Sequence, residues 1–144
     1  MRLSQYRGRA VLLTFAYTRC PDACPLIVSK LAAALDQLSR ADARRVQVIA
    51  VSVDPRGDTA ARARRFMHER GIAGRMEYVV GTRAGLAPIW RAYGVAVGGS
   101  PEDRLVGHSL TVRGITAAGR QRTLRGQDFK PGSVAHDVPL LAAG

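Results

Sequence analysis

The sequence predicts an α/β fold, a central mixed β-sheet flanked by helices on both faces, and three observations carry that expectation. Residues 10–17 form a continuous apolar run that suits a central strand buried on both faces. Residues 45–53 (RVQVIAVSV) form a second, valine-rich run. Between and after them, apolar residues recur at helical spacing until the chain closes on a hairpin signal. The resulting order β-α-β-α-β-α-β-β-α is that of a mixed sheet covered on both sides.

Each element has its own signal. The first strand ends at Thr18-Arg19-Cys20-Pro21. From Cys24 to Arg40, the apolar residues Ile27, Val28, Leu31, Leu35 and Leu38 mark one helical face, and Pro25 is tolerated in a first turn. After the second strand, Asp54-Pro55-Arg56-Gly57 reads as a turn. Asp58 or Thr59 then caps a helix that runs to Arg70 and stops at Gly71. Residues 76–80 are a third, short strand, and Thr82 or Arg83 opens a helix reaching Tyr93 and Gly94. Residues 95–104 read as a Gly/Ser/Pro loop, expected to be the most mobile of the chain. Residues 106–116 and 120–124 are two strands joined by Ala117-Ala118-Gly119. Residues 131–138 form a last helix, which Pro139 is expected to end.

Composition bounds what the chain can be. Its 144 residues suit one domain, 1–144, and 47% hydrophobic with 23% charged residues is a globular profile. The longest nearly apolar run, residues 10–17, is far short of the ~20 residues of a spanning helix. The net charge is +11 from 22 basic and 11 acidic residues, and arginine supplies all the basic residues except Lys30 and Lys130. The arginines are scattered, without a block of interleaved aromatics, so they read as solvated faces and nucleic acid is not expected as a partner. The basic start and the apolar run after it imitate a signal peptide. No small-x-small site follows, however, and Arg19 stands directly before Cys20.

The chemistry concentrates in two cysteines, Cys20 and Cys24, in Cys-Pro-Asp-Ala-Cys. They fall where a buried strand passes into the first turn of a helix, and residues four apart on a helix share a face. Free backbone N–H groups at such a terminus stabilise anions and can lower a thiol pKa to ~3.5–7.5. Thiolates of this kind bind soft metals and exchange disulfides. Of the three histidines, His68 lies in an Arg-rich helix and His136 near the C-terminus, both read as solvated, while His108 starts a strand after the Gly-rich loop.

The stretch TFAYTRCPDACP, residues 14–25, resembles the signature of the Sco/SenC family, copper chaperones for cytochrome c oxidase assembly. VSVDPRGDT at residues 51–59, AYGV at 92–95 and VGHS at 106–109 resemble further stretches of that family in the same order, so the resemblance covers residues 7–124. It implies a thioredoxin-like fold and a metal site formed by Cys20, Cys24 and His108. Two thiolates and an imidazole make a soft site suited to Cu(I) and tolerant of Cu(II), with a position left open for handing the metal on. Asp54 matches the aspartate of VSVDP, which implies a role beside the metal or toward a partner; before Pro55 it reads equally as a turn aspartate. The implied cargo is copper, and the implied partner is the CuA-bearing subunit of cytochrome c oxidase, with other copper chaperones or thioredoxin-like reductants beside it. Delivery of copper, or prior reduction of the CuA cysteines, is the implied role.

Three departures from the family pattern accompany the resemblance. The usual membrane anchor and the hairpin before the first strand are not in this sequence. Gly107 precedes the histidine where many relatives carry an acidic group, and residues 110–115 are more polar than the family's strand. The expected location is the periplasm or the outer face of the membrane, as the soluble part of an anchored protein, or the cytoplasm if Met1 is the true start. A thioredoxin-like thiol-disulfide oxidoreductase, or a peroxiredoxin-like thiol peroxidase using Cys20 and Cys24 as a redox-active disulfide, is the alternative. Against a thioredoxin type stand the three residues between the cysteines and the Gly107-His108 pair where a proline would be expected.

Overall fold

The computed structural model describes residues 3–20, 23–97 and 111–144. Its strands are β1 (Ala10–Ala16), β2 (Val46–Ser52), β3 (Met76–Val79), β4 (Thr111–Ile115) and β5 (Gln121–Gly126). The helices are α1 (Ala23–Asp36), α2 (Arg40–Ala43), α3 (Ala60–Glu69), α4 (Arg83–Ala92) and α5 (Pro131–Ala143), with a 3₁₀ turn at Leu3–Tyr6 before β1. The sheet order is β3-β2-β1-β4-β5. β1 runs parallel to β2, and β2 to β3, while β4 lies antiparallel to both β1 and β5.

β1 is buried along its whole length because a strand lies on either side and a helical layer on either face. Its alternate residues serve two cores. Ala10, Leu12 and Ala16 pack with Ile27, Val28 and Leu31 of α1 and with Val134, Val138 and Leu141 of α5. Val11, Leu13 and Phe15 pack with Ile49 and Val51 beneath Leu86 and Trp90 of α4. Each fully buried Leu, Ile or Phe contributes about 1.5–3 kcal/mol. The edge strand β5 is mostly exposed and polar, which discourages further pairing.

Several boundaries differ from the expectation. The helix expected over 24–40 ends at Asp36. Gln37 and Leu38 donate to the carbonyls three residues back, at 3.1 Å each, tightening the last turn. Ser39 then accepts from the Asp42 N–H and starts α2 as a separate turn. Thr59, and not Asp58, caps α3, and Thr82 caps α4. Pro139 does not end the last helix. Leu141 and Ala142 are buried, the Ala117 N–H donates to the Leu141 carbonyl at 3.1 Å, and Arg45 donates to the Ala142 carbonyl at 2.9 Å. These tertiary bonds carry α5 through the proline.

The solvated reading of the arginines fails at Arg113, which is 8% exposed. Its guanidinium lies 6.0 Å from the centre of the Phe15 ring and 5.5 Å from that of Tyr93, and it donates to Gln121 Oε1 at 3.4 Å. Two aromatic faces take the place of water around the cation. Most of the expected loop at residues 95–104 and the first half of the strand expected from 106 lie outside the described residues.

Candidate metal and thiol site

The site forms where β1 leaves the sheet. The chain turns through Tyr17, Thr18 and Arg19, and the Cys20 N–H closes the turn on the Tyr17 carbonyl at 3.1 Å. Cys24 falls in the first turn of α1. There its N–H has no carbonyl four residues back within the helix, and it donates to Cys20 Sγ at 3.4 Å. Cys20 Sγ therefore sits against the N-terminal turn of α1 that carries Cys24, at the strand-to-helix junction the sequence predicted. The two cysteines are not joined by a disulfide here, and both are buried, Cys20 7% and Cys24 1% exposed.

The electrostatics differ from the expectation of two low-pKa thiols. The Cys24 thiol is pushed well above the ordinary range, first by its hydrogen bond with Cys20 and then by burial. Two adjacent sulfurs in a small buried volume resist carrying two negative charges. A cation that replaces the proton removes this conflict, which is the chemistry of a soft metal site.

Asp54 is 1% exposed and fastened in place. Its Oδ1 accepts from the Gly57 N–H at 3.1 Å, its own N–H donates to Ser52 Oγ at 3.0 Å, and Oδ2 lies 3.7 Å from Arg19 Nη2. A Cβ at Gly57 would collide with Asp54 Oδ2 and Arg19 Nη2, so only glycine permits this approach. Asp54 is thus both the turn aspartate and the partner of the residue before Cys20.

Sequence reading missed Asp58, which it took only as an alternative helix cap. Buried at 5% exposure, Asp58 accepts at Oδ1 from the Thr18 N–H at 2.9 Å and the Thr18 hydroxyl at 2.7 Å. At Oδ2 it accepts from the Ser52 hydroxyl at 2.7 Å and the Tyr78 hydroxyl at 3.1 Å. Burial and then the Asp58 charge push the Tyr78 phenol well above its ordinary range. The available signal was a second aspartate four residues after Asp54 in a strand-to-helix junction, but its partners come from three separate parts of the chain.

His108 lies outside the described residues. Among the described residues, no cluster of three or more His, Cys, Asp or Glu could hold a metal ion. His68 and His136 are exposed on α3 and α5, as read from the sequence. Among the described residues, no helix is long and apolar enough to cross a membrane.

A model of the SCO1/SenC family matches residues 1–142. The mitochondrial SCO2 homolog of Bos taurus is 32% identical over 114 residues, covering 76% of this chain and 42% of that protein. The chain spans less than half the length of the curated relatives it matches. Among solved structures, apo Sco1 of Thermus thermophilus superposes with a TM-score of 0.79 at 30% identity, covering 100% of this chain and 84% of that one. Bradyrhizobium japonicum ScoI with copper bound superposes with a TM-score of 0.74 at 26% identity, covering 96% and 88%. The α/β sheet is accordingly the thioredoxin-like one that the resemblance implied.

Proposed function

Because the chain belongs to the SCO1/SenC family, we propose that it is a copper-carrying chaperone of cytochrome c oxidase assembly. It takes one copper ion as cargo on Cys20, Cys24 and His108 and passes it to the CuA-bearing subunit, or reduces that site's cysteines beforehand. The observation that carries this reading is the pair of buried, unbridged cysteines at the start of α1, where the Cys24 N–H donates to Cys20 Sγ. Two thiolates favour Cu(I) over harder cations, and an imidazole completes a three-ligand set with room for exchange. The copper-bound Bradyrhizobium japonicum protein supports the choice of metal. The relatives from Bos taurus, Arabidopsis thaliana and Homo sapiens are mitochondrial Sco proteins, which supports a place on the outer face of an energy-transducing membrane. Other copper chaperones or thioredoxin-like reductants would reload or re-reduce the pair.

The test is an anaerobic Cu(I) titration of the reduced protein against a competing chelator, comparing wild type with His108→Ala. Stoichiometric binding that weakens at least about tenfold, ~1.4 kcal/mol, in the variant is the expected result. Unchanged binding would remove His108 from the ligand set, and no binding by the wild type would remove the copper reading. A Cys20–Cys24 disulfide consumes both ligating thiolates, so the oxidised protein is expected to take up no Cu(I).

A further inference from the structure

The turn that delivers Cys20 is held from below by one carboxylate. Asp58 is buried, and both of its oxygens are engaged. Oδ1 takes the backbone N–H and the hydroxyl of Thr18, two residues before Cys20. Oδ2 takes the hydroxyls of Ser52 at the end of β2 and Tyr78 on β3. Ser52 Oγ in turn accepts from the Asp54 N–H, and Asp54 faces Arg19, the next residue of the same turn. The segment between β2 and α3 therefore grips the cysteine turn at two successive residues. Cys24, by contrast, is placed by α1, which packs on the sheet through Ile27, Val28 and Leu31. The relative position of the two sulfurs thus depends on two independent supports, and Asp58 is the larger part of one of them.

We propose that Asp58 is the positioning residue for the Cys20–Cys24 pair: by fixing Thr18 at two atoms it holds the Cys20 sulfur against the first turn of α1, where the two sulfurs act together. Pre-organisation of this kind raises the effective concentration of one thiol at the other. It governs disulfide formation as well as shared ligation of an ion, because each needs both sulfurs at one place. The redox step is balanced by glutathione. The Cys20–Cys24 disulfide accepts two electrons and two protons from two glutathione thiols, giving the dithiol and one glutathione disulfide. Support by a residue that does not touch the metal is commonly worth a factor of about 10–100 in affinity.

The experiment equilibrates copper-free protein in glutathione redox buffers and measures the dithiol fraction for wild type, Asp58→Ala, Asp58→Asn, Thr18→Ala and Tyr78→Phe. Asp58→Ala is expected to shift the equilibrium toward the dithiol by about tenfold. In Asp58→Asn the carbonyl keeps both Thr18 bonds while the Ser52 and Tyr78 hydroxyls turn to the amide, so near-wild-type behaviour is expected. Thr18→Ala and Tyr78→Phe each remove one hydrogen bond to Asp58. A merely structural role would move them alike, whereas positioning moves only Thr18→Ala, by about threefold. That pair decides the matter even if Asp58→Ala does not fold. Equal effects of the two, a collapse of Asp58→Asn to the Asp58→Ala value, or no shift in Thr18→Ala would each overturn the proposal. A parallel Cu(I) titration of the same variants rests on the proposed function. Failure of wild type to bind copper there would remove that function, while the glutathione measurement would still judge Asp58.

Discussion

At Gly57 the backbone lies so close to the Asp54 carboxylate and the Arg19 guanidinium that one added methyl has no room. Gly57→Ala should therefore destabilise the protein by about 1–3 kcal/mol, the usual cost of an overpacked site. Urea denaturation should register it as a lower midpoint at unchanged slope. The cysteine pair yields a second expectation at this scale. The Cys24 thiol holds its proton above the usual range because of Cys20 and burial, so Cu(I) must displace that proton. Binding should strengthen with rising pH, by up to about tenfold per unit for each proton released. Competition titrations at pH 6, 7 and 8, corrected for the competitor's own protonation, measure it. Asp54 and the Cys20–Cys24 pair were legible from sequence as motif residues. Asp58 was not, because its role rests on bonds to Thr18, Ser52 and Tyr78, which only folding brings together.

Among the elements, α5 departs furthest from its sequence signal. A proline in a helix interior removes one N–H bond and crowds the preceding turn, yet α5 runs from Pro131 to Ala143. Its last turn is held by the Leu141 and Ala142 carbonyls and by Leu141 packed in the core. Pro139 is only half-buried. Pro139→Ala should stabilise the protein by about 1 kcal/mol or more by restoring the missing bond, seen as a rise in the midpoint of thermal or urea unfolding. The same helix is clamped to β5 by Arg125, which donates to both oxygens of the buried Asp137 at 2.9 Å each. Bidentate pairing of this kind is among the stronger polar contacts, and it ties the edge strand to the helical layer.

For the molecule as a whole, tyrosines raised by burial shape the alkaline limb of stability, Tyr6, Tyr78 and Tyr93 among them. Burial, then the hydrogen bond to Glu77, pushes Tyr6 up to about 12, and Tyr78 is pushed further still by burial and Asp58. An unfolded tyrosine ionises near pH ~10. Both groups are therefore more basic in the folded state. Their contribution is complete below that pH and is lost as pH rises from about 10 toward 12. The melting temperature should fall through that window. Tyr78→Phe should be less stable at pH 7 yet lose less on going from pH 9 to 11, as thermal unfolding across that range would record.

Local chemistry placed most of the strands and helices within a few residues, because continuous apolar runs around Leu12 and Val48, and a helical period of 3.6 through Leu31, are written into the sequence. Thr59 and Thr82 as caps, and the cysteine pair at a helix start, were likewise local facts. Outcomes that depend on distant partners were not. Ser39, which starts α2 by accepting from the Asp42 N–H three residues on, is the exception, a local signal hidden inside an apolar helical pattern. The passage of α5 through Pro139 was settled by Arg45 and Ala117. The burial of Arg113 between Phe15 and Tyr93 required β1, β4 and α4 to meet. Each side chain's own preference is readable along the chain, but hydrogen bonds and ring contacts between residues tens of positions apart exist only once the sheet has aligned them, and there they outweigh the local preference.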